Sequence, residues 1–134
     1  MVVVDTNVVF ALLVANTPWS AAVRRLHATD DDWRTEAHAL VELTSVLARC
    51  VRADDLEEQQ AIAILHEAEL RLDPFVLAVG HDAAIEVALR YGVSAYDARF
   101  LVLARELRRP LVTEDARLRR AAPALTCSVE DALR

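Results

Sequence analysis

The sequence contains no lysine. Its fifteen basic residues are all arginine, set against twenty-one aspartates and glutamates, which gives a formal net charge of -6. The missing lysine excludes any mechanism that needs a catalytic lysine. The acidic net charge argues against a protein that binds nucleic acid mainly by bulk electrostatic attraction. An alanine- and arginine-rich chain without lysine is also typical of a GC-rich genome, so the composition alone assigns no function.

Cysteines and long apolar runs are scarce as well. Cys50 and Cys127 have neither a CxxC spacing nor clustered histidines beside them, so we expect both to be buried and reduced, without a disulfide framework or a zinc site. The longest apolar stretch, Val8 to Ala15, is far shorter than a membrane span of ~20 residues. No basic region or cleavage site indicates a secretory signal. We therefore expect a cytoplasmic protein with one domain over residues 1–134.

Short β-branched segments alternate along the chain with segments of helical periodicity. Strands are predicted at 2–4, 33–35, 75–79 and 111–112, and helices at 6–14, 37–51, 81–91 and 116–120, with one more short strand and helix at the end. This alternation predicts an α/β fold with a parallel sheet that is covered on both faces.

Helix ends are marked by capping residues. Thr17 and Pro18 are typical of an N-cap and a first helical position, and Asp54 or Asp55 is predicted to start a further helix that ends at Pro74. Gly92 is the usual residue at a left-handed C-cap, and Ser94 is predicted to cap the helix that follows.

Several acidic residues occur where an α/β protein places its ligands. Asp5 directly follows the first strand, Asp115 follows the strand 111–112, Asp97 begins a helix, and Glu42 lies within an otherwise apolar helix. Converging carboxylates repel one another unless a cation lies between them. Because no histidine or cysteine accompanies these acids, the pattern favours Mg²⁺ or Mn²⁺, whose commonest use is phosphoryl chemistry.

Each acid also has a purely structural interpretation. Asp5 and Asp115 could be N-caps of the helices that follow them, with Glu114 the ligand in place of Asp115. Asp97 occupies a favourable position in a helix dipole, and Glu42 shares a polar helix face with nearby arginines.

Four segments together resemble a known family. They are "VVDTNVV", "ALVELTSVLAR", "SAYDARFLVLARELRRPLVTED" and the following "ARL". Their order and spacing resemble the PIN domain, specifically the VapC-type toxin ribonucleases of bacterial toxin–antitoxin pairs, over nearly the whole chain. The resemblance implies an acidic site made of Asp5, Glu42, Asp97 and Asp115, with Asp5 and Asp97 the firmest metal ligands, and with Asn7 and Thr113 supporting it by hydrogen bonds.

The resemblance also carries expectations about the whole protein. It implies a three-layer α/β fold in which helices flank a central, mostly parallel sheet of about four to five short strands. It implies cleavage of RNA with Mg²⁺ or Mn²⁺ as cofactor, no membrane association, assembly as a homodimer, and silencing by a small antitoxin protein whose tail enters the acidic groove.

Three other classes compete with this interpretation. Receiver-type and haloacid-dehalogenase-like phosphotransfer domains also place an aspartate after the first strand, but both use a lysine. A von Willebrand A type metal site requires a DxSxS pattern, and the serines are absent from "DTNVV". A non-catalytic PIN relative that serves as a protein-interaction scaffold remains open, although the chain retains all four acids.

Overall fold

Five short strands form one parallel sheet in the computed structural model, which describes residues 1–14, 16–73 and 75–134. In chain order they are β1 (Val2–Val4), β2 (Trp33–Glu36), β3 (Val76–Leu77), β4 (Leu111–Val112) and β5 (Thr126–Cys127). Their order across the sheet is β3-β2-β1-β4-β5, and every neighbouring pair is parallel. The predicted α/β fold with a parallel sheet is confirmed.

Helices connect the strands. Within the described residues they are α1 (Thr6–Leu13), α2 (Ser20–Thr29), α3 (His38–Arg52), α4 (Glu58–Leu72), α5 (His81–Tyr91), α6 (Ala95–Leu107), α7 (Ala116–Ala121) and α8 (Val129–Ala132). None of these helices has the length and apolar character needed to cross a membrane. Cys50 and Cys127 are both free, but each is only partly buried, so the expectation of full burial was wrong.

Two hydrophobic cores lie on opposite faces of the sheet. Successive side chains of a strand point to opposite faces, so Val3 and Val4 enter different cores. Val4 packs with helices α1 to α4, and Val3 packs with α5, α6 and α7. Both valines are fully buried. The protein therefore has three layers, helices on a sheet on helices, as expected.

Two predicted helix starts were wrong. Helix α2 begins at Ser20 rather than at Pro18, because the Ser20 hydroxyl donates to the Val14 carbonyl and accepts from the Thr17 N–H, which holds a separate turn before the helix. Ser20 is itself buried.

Helix α4 begins at Glu58, not at Asp54 or Asp55. Asp54 adopts a left-handed conformation with φ of 58° in the turn after α3, where a helix cannot start. The start is instead fixed by a reciprocal capping box between Glu57 and Gln60. Pro74, the predicted end of this helix, lies outside the described residues.

Candidate active site

The middle of the sheet provides a position for a site. β1 is the central strand. The chain continues from it to β2 and β3 on one side, and then crosses to β4 and β5 on its other side. In open parallel sheets, ligands bind outside the carboxyl ends of the strands where the strand order reverses in this way. Asp5 is the first residue after β1 and therefore lies at this reversal point.

Asp5 is a buried carboxylate held by two hydrogen bonds. It caps α1, with its Oδ1 accepting from the Val8 N–H at 3.0 Å, and its Oδ2 accepts from the Thr113 hydroxyl. Burial raises the pKa of Asp5 to about 6. The hydrogen bonds from Thr113 and Val8 oppose that rise, while the negative charges of Asp115 and Glu42 add to it. The capping role predicted for Asp5 is present together with the strand-end position.

Glu42 projects from the first turns of α3 towards α1. The Thr6 hydroxyl donates to its Oε2 at 2.9 Å, and Nε2 of His38 lies 3.7 Å from its Oε1. Partial burial is the main cause that raises the pKa of Glu42, and the negative charge of Asp97 adds to it. Glu42 thus faces the cluster of acids rather than a solvated arginine face.

Asp97 occupies the third position of α6. The Ser94 side chain caps this helix by accepting the Asp97 N–H at 3.0 Å, as the sequence predicted. Burial is the main cause that raises the pKa of the Asp97 carboxyl, and the negative charge of Asp115 raises it further, while Arg117 lowers it.

Asp115 caps α7 and is tied to Asp5 through one hydroxyl. Its Oδ1 accepts the N–H groups of Arg117 at 2.9 Å and Leu118 at 3.1 Å. Its own N–H donates to Oγ1 of Thr113 at 3.1 Å, and the same hydroxyl donates to Asp5. Thr113 is fully buried. One threonine therefore fixes the spacing of two acids whose elements come from opposite ends of the chain.

Glu114, the alternative to Asp115, is engaged elsewhere. Its carboxylate pairs with Arg119 at 3.1 Å and accepts the Val129 N–H at 2.7 Å. Both contacts belong to the packing of α7 and α8. Asp115 is accordingly the acid of this pair whose charge acts on Asp5 and Asp97.

The four acids form one electrostatic unit. The negative charges of Glu42 and Asp115 raise the pKa of Asp5. The charge of Asp115 also raises the pKa of Asp97, and the charge of Asp97 raises the pKa of Glu42. In the described part of the chain, no arginine forms a salt bridge with any of the four. Among residues 1–14, 16–73 and 75–134, no three histidine, cysteine or carboxylate side chains are already placed to hold a metal ion together. The charges of the acids therefore act on one another, and among the described residues their basic neighbours are His38, beside Glu42, and Arg117, which lowers the pKa of Asp97. They do not form a closed set of ligands.

Two other residues bear on the site. Asn7 is the second residue of α1 and is exposed, and its supporting role stays a prediction. Sequence reasoning missed Glu36, which ends β2 and is fully buried. Glu36 pairs with Arg99 at 3.2 Å and accepts the His38 N–H at 2.6 Å. The rule that selected Asp5 and Asp115, an acid at the end of a strand, would also have selected Glu36.

The class of protein is an α/β protein with an all-parallel sheet and with acids at the carboxyl end of its central strand. The profile of the PIN domain family matches residues 2–123. The chain belongs to the PIN domain family. Two solved structures share the fold over nearly the whole chain. PAE2754 from Pyrobaculum aerophilum superposes with a TM-score of 0.74 at 19% identity, and the match covers 98% of this chain and 92% of that chain. FitAcB from Neisseria gonorrhoeae superposes with a TM-score of 0.66 at 18% identity, and the match covers 96% of each chain.

A characterised relative is similar over a shorter segment. Ribonuclease VapC1 of Mycobacterium tuberculosis, in strains CDC 1551 / Oshkosh and ATCC 25618 / H37Rv, is 35% identical over 89 residues. The match spans 66% of this chain and 66% of the relative's length, just under two thirds of each.

Proposed function

We propose that this protein is a VapC-like endoribonuclease that hydrolyses RNA phosphodiester bonds with Mg²⁺ or Mn²⁺ held by Asp5, Glu42, Asp97 and Asp115. One observation carries the proposal: at the end of β1 the negative charges of Glu42 and Asp115 raise the pKa of the buried Asp5, and the charge of Asp97 raises the pKa of Glu42. No arginine of the described residues forms a salt bridge with any of these four acids. The 35% identity to a ribonuclease supports RNA as the substrate class.

The donor set suits a hard divalent cation. All four candidate ligands are carboxylates, and oxygen ligands are those that Mg²⁺ and Mn²⁺ prefer. Burial and the charges of neighbouring acids raise the pKa of Asp5, Glu42 and Asp97 by more than hydrogen bonds and basic neighbours lower it, so an ion bound among them would stabilise their charged forms. Since Mg²⁺ commonly keeps several waters and takes only one or two carboxylates, an ion here would be held partly by water.

The ion, when bound, supplies charge neutralisation at the phosphate and lowers the pKa of an attacking water. The protein's own side chains position the acids. Thr113 holds the buried Asp5 and the backbone of Asp115, and Thr6 holds one oxygen of Glu42, which leaves the other oxygen near His38. The net charge of -6 opposes RNA binding, so neutralisation of these acids is a condition for the phosphate to approach.

The test compares acid-to-amide variants at the site with one outside it. Asp5→Asn and Asp97→Asn should each abolish cleavage of single-stranded RNA in Mg²⁺ or Mn²⁺, and chelator should abolish cleavage by the wild type. Glu106→Gln, on the exposed surface of α6, is the matched control and should cleave like the wild type. Cleavage retained in both Asp5→Asn and Asp97→Asn, with thermal melts showing folded protein, would contradict the site assignment.

The competing candidate is a non-catalytic interaction scaffold with the PIN fold. A wild-type protein that cleaves no RNA in either metal ion would favour the scaffold.

The proposal also includes the two partners that the family resemblance implies, a second copy of the chain and a small antitoxin protein. Light scattering at tens of micromolar should show a dimer, and expression alone should inhibit growth. A monomer without growth inhibition would contradict the toxin assignment.

A further inference from the structure

An open pocket lies between α3 and α6, the helices that carry Glu42 and Asp97. Its lining includes the buried Glu36 together with His38, Val41, His81, Tyr96 and Arg99, and its volume is about 310 Å³. His38 lies one helical turn before Glu42 on α3, and Tyr96 immediately precedes Asp97 on α6. The pocket, called here the aromatic pocket, therefore adjoins Glu42 through His38, whose Nε2 lies 3.7 Å from the Glu42 carboxylate, and it shares α6 with Asp97.

Two aromatic rings are stacked in this pocket. The rings of His38 and Tyr96 have centroids 5.0 Å apart and planes inclined by 18°. Tyr96 is nevertheless 62% exposed, the most exposed aromatic side chain among the large hydrophobic residues of the described chain. One face of its ring is covered by His38, and the other is available to a flat ligand.

Arg99 is held rigidly in the wall of the pocket. Its Nε donates to Glu36 at 3.2 Å, one terminal nitrogen donates to the Val79 carbonyl at 3.2 Å, and the other lies 3.2 Å from Nδ1 of His81. A guanidinium has five N–H groups, so two remain after these three contacts. Among the described residues no acceptor is seen for these two N–H groups, so they are the donors left for the acceptor atoms of a ligand.

We propose that the aromatic pocket binds one unpaired nucleobase of the RNA, next to the phosphate that is cleaved. The base stacks on the free face of Tyr96, which His38 supports from behind, and its acceptor atoms receive N–H donors of Arg99. Unpaired bases are bound in this way, by aromatic stacking combined with hydrogen bonds to the base edge. This proposal rests on the proposed function, which makes RNA the substrate. It adds a position, outside the metal site, at which the RNA is held.

The charge of the protein explains why stacking is needed. With a net charge of -6 and four acids at the site, the surface gives little electrostatic affinity for a phosphate backbone. Stacking of a base on an aromatic ring does not depend on that charge. It also contributes enough for one base to change affinity by about tenfold or more.

Kinetics on a short single-stranded RNA test the proposal. Tyr96→Ala should raise KM about tenfold with kcat little changed, and Tyr96→Phe should restore the wild-type KM because the ring is kept. Phe75→Ala is the matched control, since Phe75 is also an exposed aromatic, 37% accessible, in contact with an arginine, but it lies at the amino end of β3, whereas His81 of the pocket follows the carboxyl end of that strand. Unchanged KM in Tyr96→Ala, in a protein that cleaves RNA, would overturn the pocket and leave the nuclease standing.

A binding measurement separates the pocket from the chemistry. Asp5→Asn protein with Mg²⁺ should quench the fluorescence of a short RNA that carries 2-aminopurine at one position, because stacking quenches this base, and adding Tyr96→Ala should remove the quench. Quenching that depends on Tyr96, together with a wild-type protein that cleaves no RNA, would keep the pocket and refute the nuclease. Absence of quenching, together with a wild-type protein that cleaves no RNA, would refute both.

Discussion

Replacement of Asp5 by asparagine should stabilise the protein in chelator, by an amount that depends on pH. Asp5 is buried, and its pKa is raised from the ordinary value of 3.8 to about 6 in the folded state. At ~1.4 kcal/mol per pKa unit this difference corresponds to about 3 kcal/mol. Asparagine carries no charge and has the shape of the protonated carboxyl, so Asp5→Asn removes this cost.

The sign of the pH dependence follows from proton binding. The folded state holds the Asp5 proton more tightly than the unfolded state does, because the folded pKa is the higher one. The wild type is therefore most stable with Asp5 protonated, and it loses stability as pH rises from about 4 to about 6. The advantage of Asp5→Asn should be absent near pH 4 and complete above about pH 7.

Two hydrogen bonds set the size of the gain. The asparagine oxygen can still accept from Val8, but its NH₂ group must donate to the Thr113 hydroxyl, which reverses that bond and leaves the hydroxyl proton without its present acceptor. This reversal costs about 1 kcal/mol. The net gain is about 2 kcal/mol, or about 8 °C in melting temperature for a domain of this size.

Thermal melts in chelator across this pH range measure the effect, with Glu106→Gln as the control that should follow the wild type. Saturating Mg²⁺ should reverse the order above about pH 7, since an ion that binds only the folded wild type adds ~2.7 kcal/mol at a hundredfold excess over Kd. A gap between Asp5→Asn and wild type that is the same at every pH, or an Asp5→Asn protein that melts lower in chelator above about pH 7, would refute the reasoning.

Three further outcomes follow from the contacts of the site. Thr113→Val should destabilise the protein by about 2 kcal/mol in urea unfolding, because Asp5 loses a donor and a backbone N–H loses its acceptor. Arg99→Met should cost about 3 kcal/mol or more, since Glu36 then stays buried without its ion pair, and adding Glu36→Gln should recover part of the loss. Ser94→Ala should lower stability by about 1 kcal/mol through loss of the α6 cap, and a melt unchanged from wild type would contradict this.

Much of the fold could be predicted from local patterns. The valines of β1 and the strand 111–112 are short β-branched segments, and Gly92 ends α5 in the left-handed conformation that glycine adopts most easily. The start of α4 could not be found in this way, because both Asp54 and Glu57 are acidic residues before an apolar periodic run. The backbone of the preceding turn, which no local pattern reveals, decides between them.

The candidate site was only partly predictable, because convergence depends on strand order. Asp5 and Asp115 follow predicted strands, so the strand-end rule identifies both. Glu42 lies inside a helix whose polar face also carries arginines, and only the family resemblance distinguished it. Glu36 was missed because the predicted strand ended one residue too early, at Thr35. The stacking of His38 depends on a helix nearly sixty residues away in sequence, so its own segment carried no signal.

The central position of β1 has a consequence for synthesis of the protein. Val3 of β1 pairs with Leu111 of β4, and the Thr113 hydroxyl orients Asp5, so both partners are made 108 residues later. At ~5–20 residues per second, a nascent chain spends most of roughly ten seconds without them. The four-acid site proposed above therefore cannot assemble until β4 and Asp115 have been made. A chain released before residue 111 lacks both β4 and Asp115 and cannot form this site.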